Sequence, residues 1–196
     1  MFSGIVKEIG IVEKIEPKNG LMEITVSSKL KFKTSESVSI NGCCQTVIEV
    51  SNSTFTVQAV QETLDKTNFG ELKIGSKVNL EPSLTLSDKL DGHLVSGHVD
   101  STGKVIDILT DGENKIITIS FQKELSKYIA QKGSMSVNGV SLTVIEAKNN
   151  TFSFTLIPYT RDNTNLGLLK IGSKVNLEVD LVSRYIVNYL KQECKI

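Results

Sequence analysis

Ser37 to Glu81 reads SVSINGCCQTVIEV…KIGSKVNLE, and Ser134 to Glu178 reads SMSVNGVSLTVIEA…KIGSKVNLE. The two stretches align without a gap at an offset of 97. About 26 of the 45 positions are identical, far beyond chance for a window that long. The likeness continues upstream at an offset of 93, where Ser3-Gly4-Ile5-Val6 matches Ser96-Gly97-His98-Val99 and Gly10 matches Gly103. The second copy has therefore gained about four residues before its Lys132-Gly133-Ser134 turn, a change in loop length that a fold tolerates at little cost. Two copies of roughly 90 residues are too few and too long for a solenoid, so they mark a duplicated domain.

Each copy reads as β. Gly20 to Ser27, Lys115 to Phe121 and Phe152 to Ile157 are rich in β-branched and aromatic residues with period-2 alternation. Asn41-Gly42 and Asn138-Gly139 lie between such runs and suit the positive φ angles of a two-residue type I′ hairpin turn. With about six short strands per copy, a small closed barrel is favoured over an open sheet, because closure removes the edges. Short helices fit Lys123 to Gln131 and Thr63 to Asn68. The tail differs: Asp180 to Glu193 carries Val182, Ile186, Tyr189 and Leu190 at helical spacing. This predicts one terminal amphipathic helix, which packs either on its own barrel or on a partner helix. The expected division is 1–90, 91–185 and a tail segment 186–196.

Composition excludes several classes. Twenty-two Lys+Arg balance 22 Asp+Glu in 196 residues, and no basic stripe suits nucleic acid. No apolar run approaches a membrane span, and Met1-Phe2-Ser3-Gly4 opens no signal peptide. Three Cys, with Cys43 and Cys44 adjacent, make a poor disulfide framework and point to a reducing, cytoplasmic setting. His93 and His98 are the only histidines, and neither lies near a CxxC or a carboxylate cluster, so no metal is expected. On a strand, their odd spacing would point them to opposite faces. Phosphate-loop, dinucleotide and GxSxG motifs are absent from the sequence.

What remains is a polar set repeated in both halves. Cys44 and Thr46 follow the first Asn-Gly turn, and Ser141 and Thr143 follow the second. Each pair is two residues apart and shares one face of a strand. Glu62-Thr63 and Tyr159-Thr160 each open a Thr-x-Asp-x-Thr-Asn segment. Backbone amides and small hydroxyls in this arrangement can grip the edge of a planar heterocycle, although hydroxyls beside turns commonly serve the turn alone.

The start MFSGIV, the blocks NGCCQTV and KGSMSVNGVSLTV, the central GHLVSGHVD, and then IPYTRDNTNLG and VNLEVD together resemble the riboflavin synthase family, whose members carry two lumazine-binding repeats. The resemblance runs from Met1 to about Tyr185. It implies two six-stranded antiparallel Greek-key barrels, each binding one 6,7-dimethyl-8-ribityllumazine, and a homotrimer held partly by the C-terminal helix. It also implies a dismutation in which one lumazine donates a four-carbon unit to another, with no cofactor. Each active site would combine the first barrel of one subunit with the second barrel of its neighbour. Lumazine synthase is the further partner it suggests.

Carried onto matching positions, Gly4, Ile5 and Val6 would line one ring with main-chain contacts. Ser141, Leu142 and Thr143 would complete that site with Ile157, Pro158, Tyr159, Thr160, Arg161 and Asp162. Cys44, Gln45 and Thr46, with Gln58, Ala59, Val60, Gln61, Glu62 and Thr63, would form the other. Gly97, His98, Val99 and Lys132 would approach from the partner barrel. His98 is the expected general acid/base, Ser141 a hydrogen-bonding or activating hydroxyl, and Cys44 a thiol that assists addition. Asp180 and Phe2 complete the expected catalytic set, although Asp180 also suits a helix cap and Phe2 a core anchor. Gln45, Asp91 and Tyr159 depart from the family's usual Leu, Gly and His or Glu. A non-catalytic lumazine-binding antenna is the rival reading; the intact Gly97, His98, Ser141 and Thr143 speak for the enzyme.

Overall fold

The structure is a computed structural model and describes residues 1–194. The final two residues of the expected 186–196 tail lie outside the described residues.

In the first copy, β1 (Glu8–Lys18), β2 (Leu21–Ser27), β3 (Ser37–Ile40), β4 (Cys43–Val50), β5 (Thr54–Ala59) and β6 (Lys77–Pro82) form a closed antiparallel barrel in the order β1-β2-β5-β4-β3-β6. A short helix α1 (Gln61–Lys66) and a 3-10 turn (Asn68–Glu71) connect β5 to β6. Alternation decides what fills the barrel. Val12, Ile24, Val26, Val47, Phe55, Val57, Val78 and Leu80 point inward and are almost fully buried.

The second copy repeats the plan with β7 (Ser101–Asp111), β8 (Asn114–Ser120), β9 (Ser134–Val137), β10 (Val140–Thr143), β11 (Glu146–Lys148), β12 (Thr151–Leu156), α2 (Pro158–Asn163) and β13 (Lys174–Val179). Its curled sheet runs β10-β9-β13-β7-β8-β12-β11. The two end strands, β10 and β11, are consecutive in the chain and together replace β4. The break falls at Val144-Ile145, the counterpart of the β4 bulge between Val47 and Glu49. A second closed barrel with an unbroken fourth strand was expected; here an irregularity shared by both copies has widened into an interruption, and the second copy is a curled sheet that ends in β10 and β11.

Both Asn-Gly dipeptides form the expected turns, with φ of 49° and 77° at Asn41-Gly42 and 47° and 78° at Asn138-Gly139. The turns meet each other. A Cβ on Gly42 would lie 2.6 Å from the Gly139 nitrogen, and one on Gly139 would lie 2.7 Å from the Gly42 nitrogen. Around this contact, Asn41, Asn68 and Asn79 of the first copy interlock with Asn138, Asn165 and Asn176 of the second. Asn79 Nδ2 donates to the Asn138 carbonyl (2.9 Å), and Asn176 Nδ2 donates to the Asn41 carbonyl (2.8 Å). The backbone N–H of Asn68 donates to Asn176 Oδ1 (2.6 Å), and that of Asn165 donates to Asn79 Oδ1 (2.7 Å). A buried amide costs least when both its ends are satisfied, and this reciprocal pattern satisfies them with pseudo-two-fold symmetry.

Helix α3 (Leu181–Cys194) follows β13. Asp180 Oδ1 accepts from the Val182 N–H (2.8 Å) in its first turn. Arg184 forms a two-pronged ion pair with Asp100 (2.6 and 2.9 Å), which ties the helix to the second copy. Val182, Tyr185, Ile186, Tyr189 and Leu190 remain exposed. Among the described residues no helix is long and apolar enough to cross a membrane.

Candidate functional site

The N-terminal segment and the segment between the copies cross over. Phe2, fully buried, pairs with Val95 in an isolated antiparallel bridge (2.8 and 3.1 Å). Beyond it the chain runs onto the other copy. The Gly4 carbonyl accepts from the N–H of Ser141 on β10, and the Gly97 carbonyl accepts from the N–H of Cys44 on β4, both at 2.8 Å. Both glycines are left-handed, with φ of 76° and 81°. A Cβ on Gly4 would meet Ser141 Cβ at 2.6 Å, and one on Gly97 would meet Cys44 Cβ at 2.6 Å. Only glycine allows this approach.

Two buried carboxylates hold the crossing segments. Glu81 accepts from the N–H groups of Ser3 (2.7 Å) and Gly4 (3.0 Å). Glu178 accepts from those of Ser96 (2.7 Å) and Gly97 (2.9 Å). Burial raises the pKa of both acids above the ordinary carboxylate value, against the pull of these hydrogen bonds.

In the first copy, Gly97, His98 and Val99 close one side of a cavity of about 290 Å³. Cys44, Gln45, Glu62 and Thr63 line the remainder, together with Cys43, Lys66 and Thr67. Glu62 and Lys66 form an exposed i,i+4 ion pair at 2.7 Å. Burial pushes the Cys43 thiol up to about 12, so it is inert; Cys44, on the opposite strand face, is the accessible thiol. Gln45 folds its amide onto the Cys44 carbonyl (2.7 Å) and toward Cys43 Sγ (3.3 Å). It points inward like its counterpart Leu142.

In the second copy, Ser141 Oγ lies 2.7 Å from His93 Nδ1. His93 Nε2 is buried and has no hydrogen-bond partner among the described residues. Desolvation lowers the imidazole pKa below its ordinary 6.5, while the Asp180 carboxylate pulls the other way. The result is a neutral imidazole held against a hydroxyl. Val6, Tyr159 and Asp162 border a separate groove of about 760 Å³, whose other walls are mainly β1 and the Ser27–Leu30 segment of the first copy. Arg161 is paired with Asp162 (2.8 Å) and also reaches the Glu113 carbonyl.

Several expected positions fall outside these linings. Gln58 bonds Glu23 (2.9 Å), Gln61 bonds Asp65 (2.8 Å), and Ala59 belongs to the barrel core. Thr46 and Thr143 are exposed, and Leu142 is packed in the second core. Ile5 is half-buried, with its N–H on Ser3 Oγ (3.3 Å). Val60 and Ile157 are the exposed residues that precede α1 and α2; Pro158 opens α2, and the Thr160 carbonyl accepts from Thr164 Oγ1 (2.7 Å). Lys132 lies in a left-handed turn (φ 65°) and donates its N–H to the Val144 carbonyl.

The expected opposition of His93 and His98 across a strand does not hold. Apart from the Val95 bridge, residues 91–98 form no strand, so period-2 alternation does not apply there. His93 instead meets Ser141, which sequence reading missed. Glu81 and Glu178 were also missed, although the repeated VNLE carried the signal.

The Lumazine binding domain family matches residues 3–83 and 96–180. The riboflavin synthase of Actinobacillus pleuropneumoniae is 37% identical over 97% of this chain and 90% of the relative. That of Escherichia coli (strain K12) is 38% identical over 98% and 92%. The solved structure of LumP complexed with riboflavin has a TM-score of 0.83 at 26% identity, covering 91% of this chain and 99% of that one. LumP complexed with 6,7-dimethyl-8-(1'-D-ribityl) lumazine has a TM-score of 0.81 at the same identity. Matched in this way along nearly its whole length, the protein belongs to the riboflavin synthase family and is built from two lumazine binding domains.

Proposed function

We propose that the two sites bind 6,7-dimethyl-8-ribityllumazine and that the chain catalyses its dismutation. One molecule gives a four-carbon unit to another, yielding riboflavin and 5-amino-6-(D-ribitylamino)uracil. The observation that carries this reading is the doubling of the site. The reaction joins two identical molecules face to face in opposite directions, and pseudo-two-fold half-sites offer that arrangement. Holding two such rings as a near-attack pair contributes about 7–11 kcal/mol.

The chemistry needs a proton taken from the 7-methyl group of one ring and a nucleophile added at C7 of the other. Neutral His93 and Ser141 form a proton-moving pair in the second half-site. His98 and Cys44 line the first. The solved complexes of LumP with riboflavin and with a lumazine support the ligand class. An antenna role is less favoured, because both half-sites keep their hydroxyl, thiol and imidazole groups. Incubation of the purified chain with the lumazine alone is expected to produce riboflavin absorbance without an added cofactor. Ligand binding without that absorbance would transfer the assignment to the antenna.

The working assembly in this reading is a homotrimer in which neighbouring chains bring a first and a second half-site together. Its support is the exposed apolar face of α3. Ile186→Glu is expected to shift sedimentation from trimer to monomer and to reduce turnover in parallel. An unchanged sedimentation coefficient would remove α3 from the interface. The unpaired Cys43 and Cys44 fit a cytoplasmic location, and lumazine synthase is the natural supplier of substrate.

A further inference from the structure

We propose that the Asn-x-Glu pair on the last strand of each copy positions the site of the other copy. Asn176 and Glu178 set the first-copy cavity, and Asn79 and Glu81 set the Ser141 site.

On β13, Val175, Leu177 and Val179 face the second core, which turns Asn176 and Glu178 toward the first copy. Both are about as buried as the core itself, at 1% and 2% exposure. Asn176 Oδ1 holds the Asn68 N–H at 2.6 Å. Asn68 follows Thr67, whose hydroxyl donates to the Thr63 carbonyl (2.6 Å), so a fixed Asn68 fixes the last turn of α1. That turn carries Lys66, and the helix it closes carries Glu62 and Thr63, one wall of the cavity. Glu178 holds Ser96 and Gly97, and the Gly97 carbonyl holds Cys44. Two walls of the first cavity therefore hang from one strand of the second copy.

The mirror arrangement is complete. On β6, Asn79 Oδ1 holds the Asn165 N–H, which follows α2, and Glu81 holds Ser3 and Gly4 beside Ser141. Neither Asn176 nor Glu178 lines the cavity it shapes, so both act as positioning residues.

The test compares full-length Glu178→Gln and Asn176→Ala with Glu81→Gln and Asn79→Ala. Alkylation of Cys44 by iodoacetamide is followed at the peptide level, with and without 6,7-dimethyl-8-ribityllumazine. Loss of the charge-assisted hold on Gly97 in Glu178→Gln, and of the hold on Asn68 and α1 in Asn176→Ala, is expected to speed Cys44 alkylation about tenfold in the β13 variants. In the β6 variants the rate stays within roughly a factor of two of the parent. A purely structural role would loosen the copy that carries the substitution, so equal acceleration by both pairs, or acceleration by the β6 pair alone, overturns the proposal. If Asn176→Ala does not fold, Glu178→Gln decides it. The ligand arm rests on the lumazine reading: failure of the parent chain to gain protection from lumazine would sink that reading, while the ligand-free rates still decide the positioning.

Discussion

Ser141→Ala is expected to lower kcat for riboflavin formation by about 10²–10³-fold while leaving the fold intact. The hydroxyl is half-buried, so its removal opens no large void. Its cost is chemical. His93 Nδ1 loses the group that holds it at 2.7 Å, and since Nε2 has no partner among the described residues the imidazole is left without an orienting bond to any of their side chains. His93→Gln should fall into the same range, since the amide can occupy the place but cannot take a proton at neutral pH. Because burial keeps His93 deprotonated below its ordinary 6.5, the acid limb of the kcat profile should lie below that value. A solvent-exposed base would place it near 6.5. His98→Gln provides the comparison. It touches the first cavity instead, and equal losses in His93→Gln and His98→Gln would mean that both half-sites carry proton transfer. Full activity in Ser141→Ala would exclude the second half-site from the chemistry.

Asn41→Ala should produce the largest loss of stability, about 4–6 kcal/mol, read as a fall in Tm of roughly 10–20 °C. Two independent terms combine. Asn41 Oδ1 accepts from the Asn79 N–H and from Asn165 Nδ2, both at 2.8 Å, and the substitution strands both donors in the interface. Asn41 also stands at φ 49°, where alanine adds about 1–2 kcal/mol of strain. Asn41→Gly separates the terms, for it relieves the strain and keeps the stranded donors. A drop below about 1 kcal/mol in Asn41→Ala would show that the donors find other partners.

These two residues illustrate what was legible in the sequence. Asn41-Gly42 announced its turn, because a type I′ turn needs two positive φ angles in sequence and few dipeptides supply them. The role of Asn41 beyond the turn was hidden. Its partners lie 38 and 124 positions away, and no local pattern records which outer faces of the two copies will touch. The same holds for VNLE. Alternation places Val and Leu in the core, and it leaves open whether Asn and Glu meet water or the other copy. The strands at Leu21–Ser27, Asn114–Ser120 and Thr151–Leu156 and the tail helix agree with the reading within one or two residues. The 3-10 turn Lys123–Tyr128 stands where a helix to Gln131 was expected. The break at Val144-Ile145 has no counterpart in local sequence, since Thr-Val-Ile-Glu stands in both copies. The His93–Ser141 contact lies outside any periodic pattern, because residues 91–98 form no strand apart from the Val95 bridge.

The crossing of Phe2–Val6 and Val95–Val99 bears on where such a chain came from. Contacts that exchange equivalent residues about a two-fold axis are those two identical polypeptides make in an isologous dimer. The asparagine interlock, the touching turns and the traded segments have this form throughout, which marks the duplication as the fusion of a self-associating ancestor. Fusion removed the concentration dependence of that association. It also released the halves from identity, so that one strand carries a thiol at Cys44 while its twin carries the hydroxyl of Ser141 within 2.7 Å of an imidazole. A homodimer can carry only two equal sites; a fused chain can divide the labour of one reaction between two unequal ones.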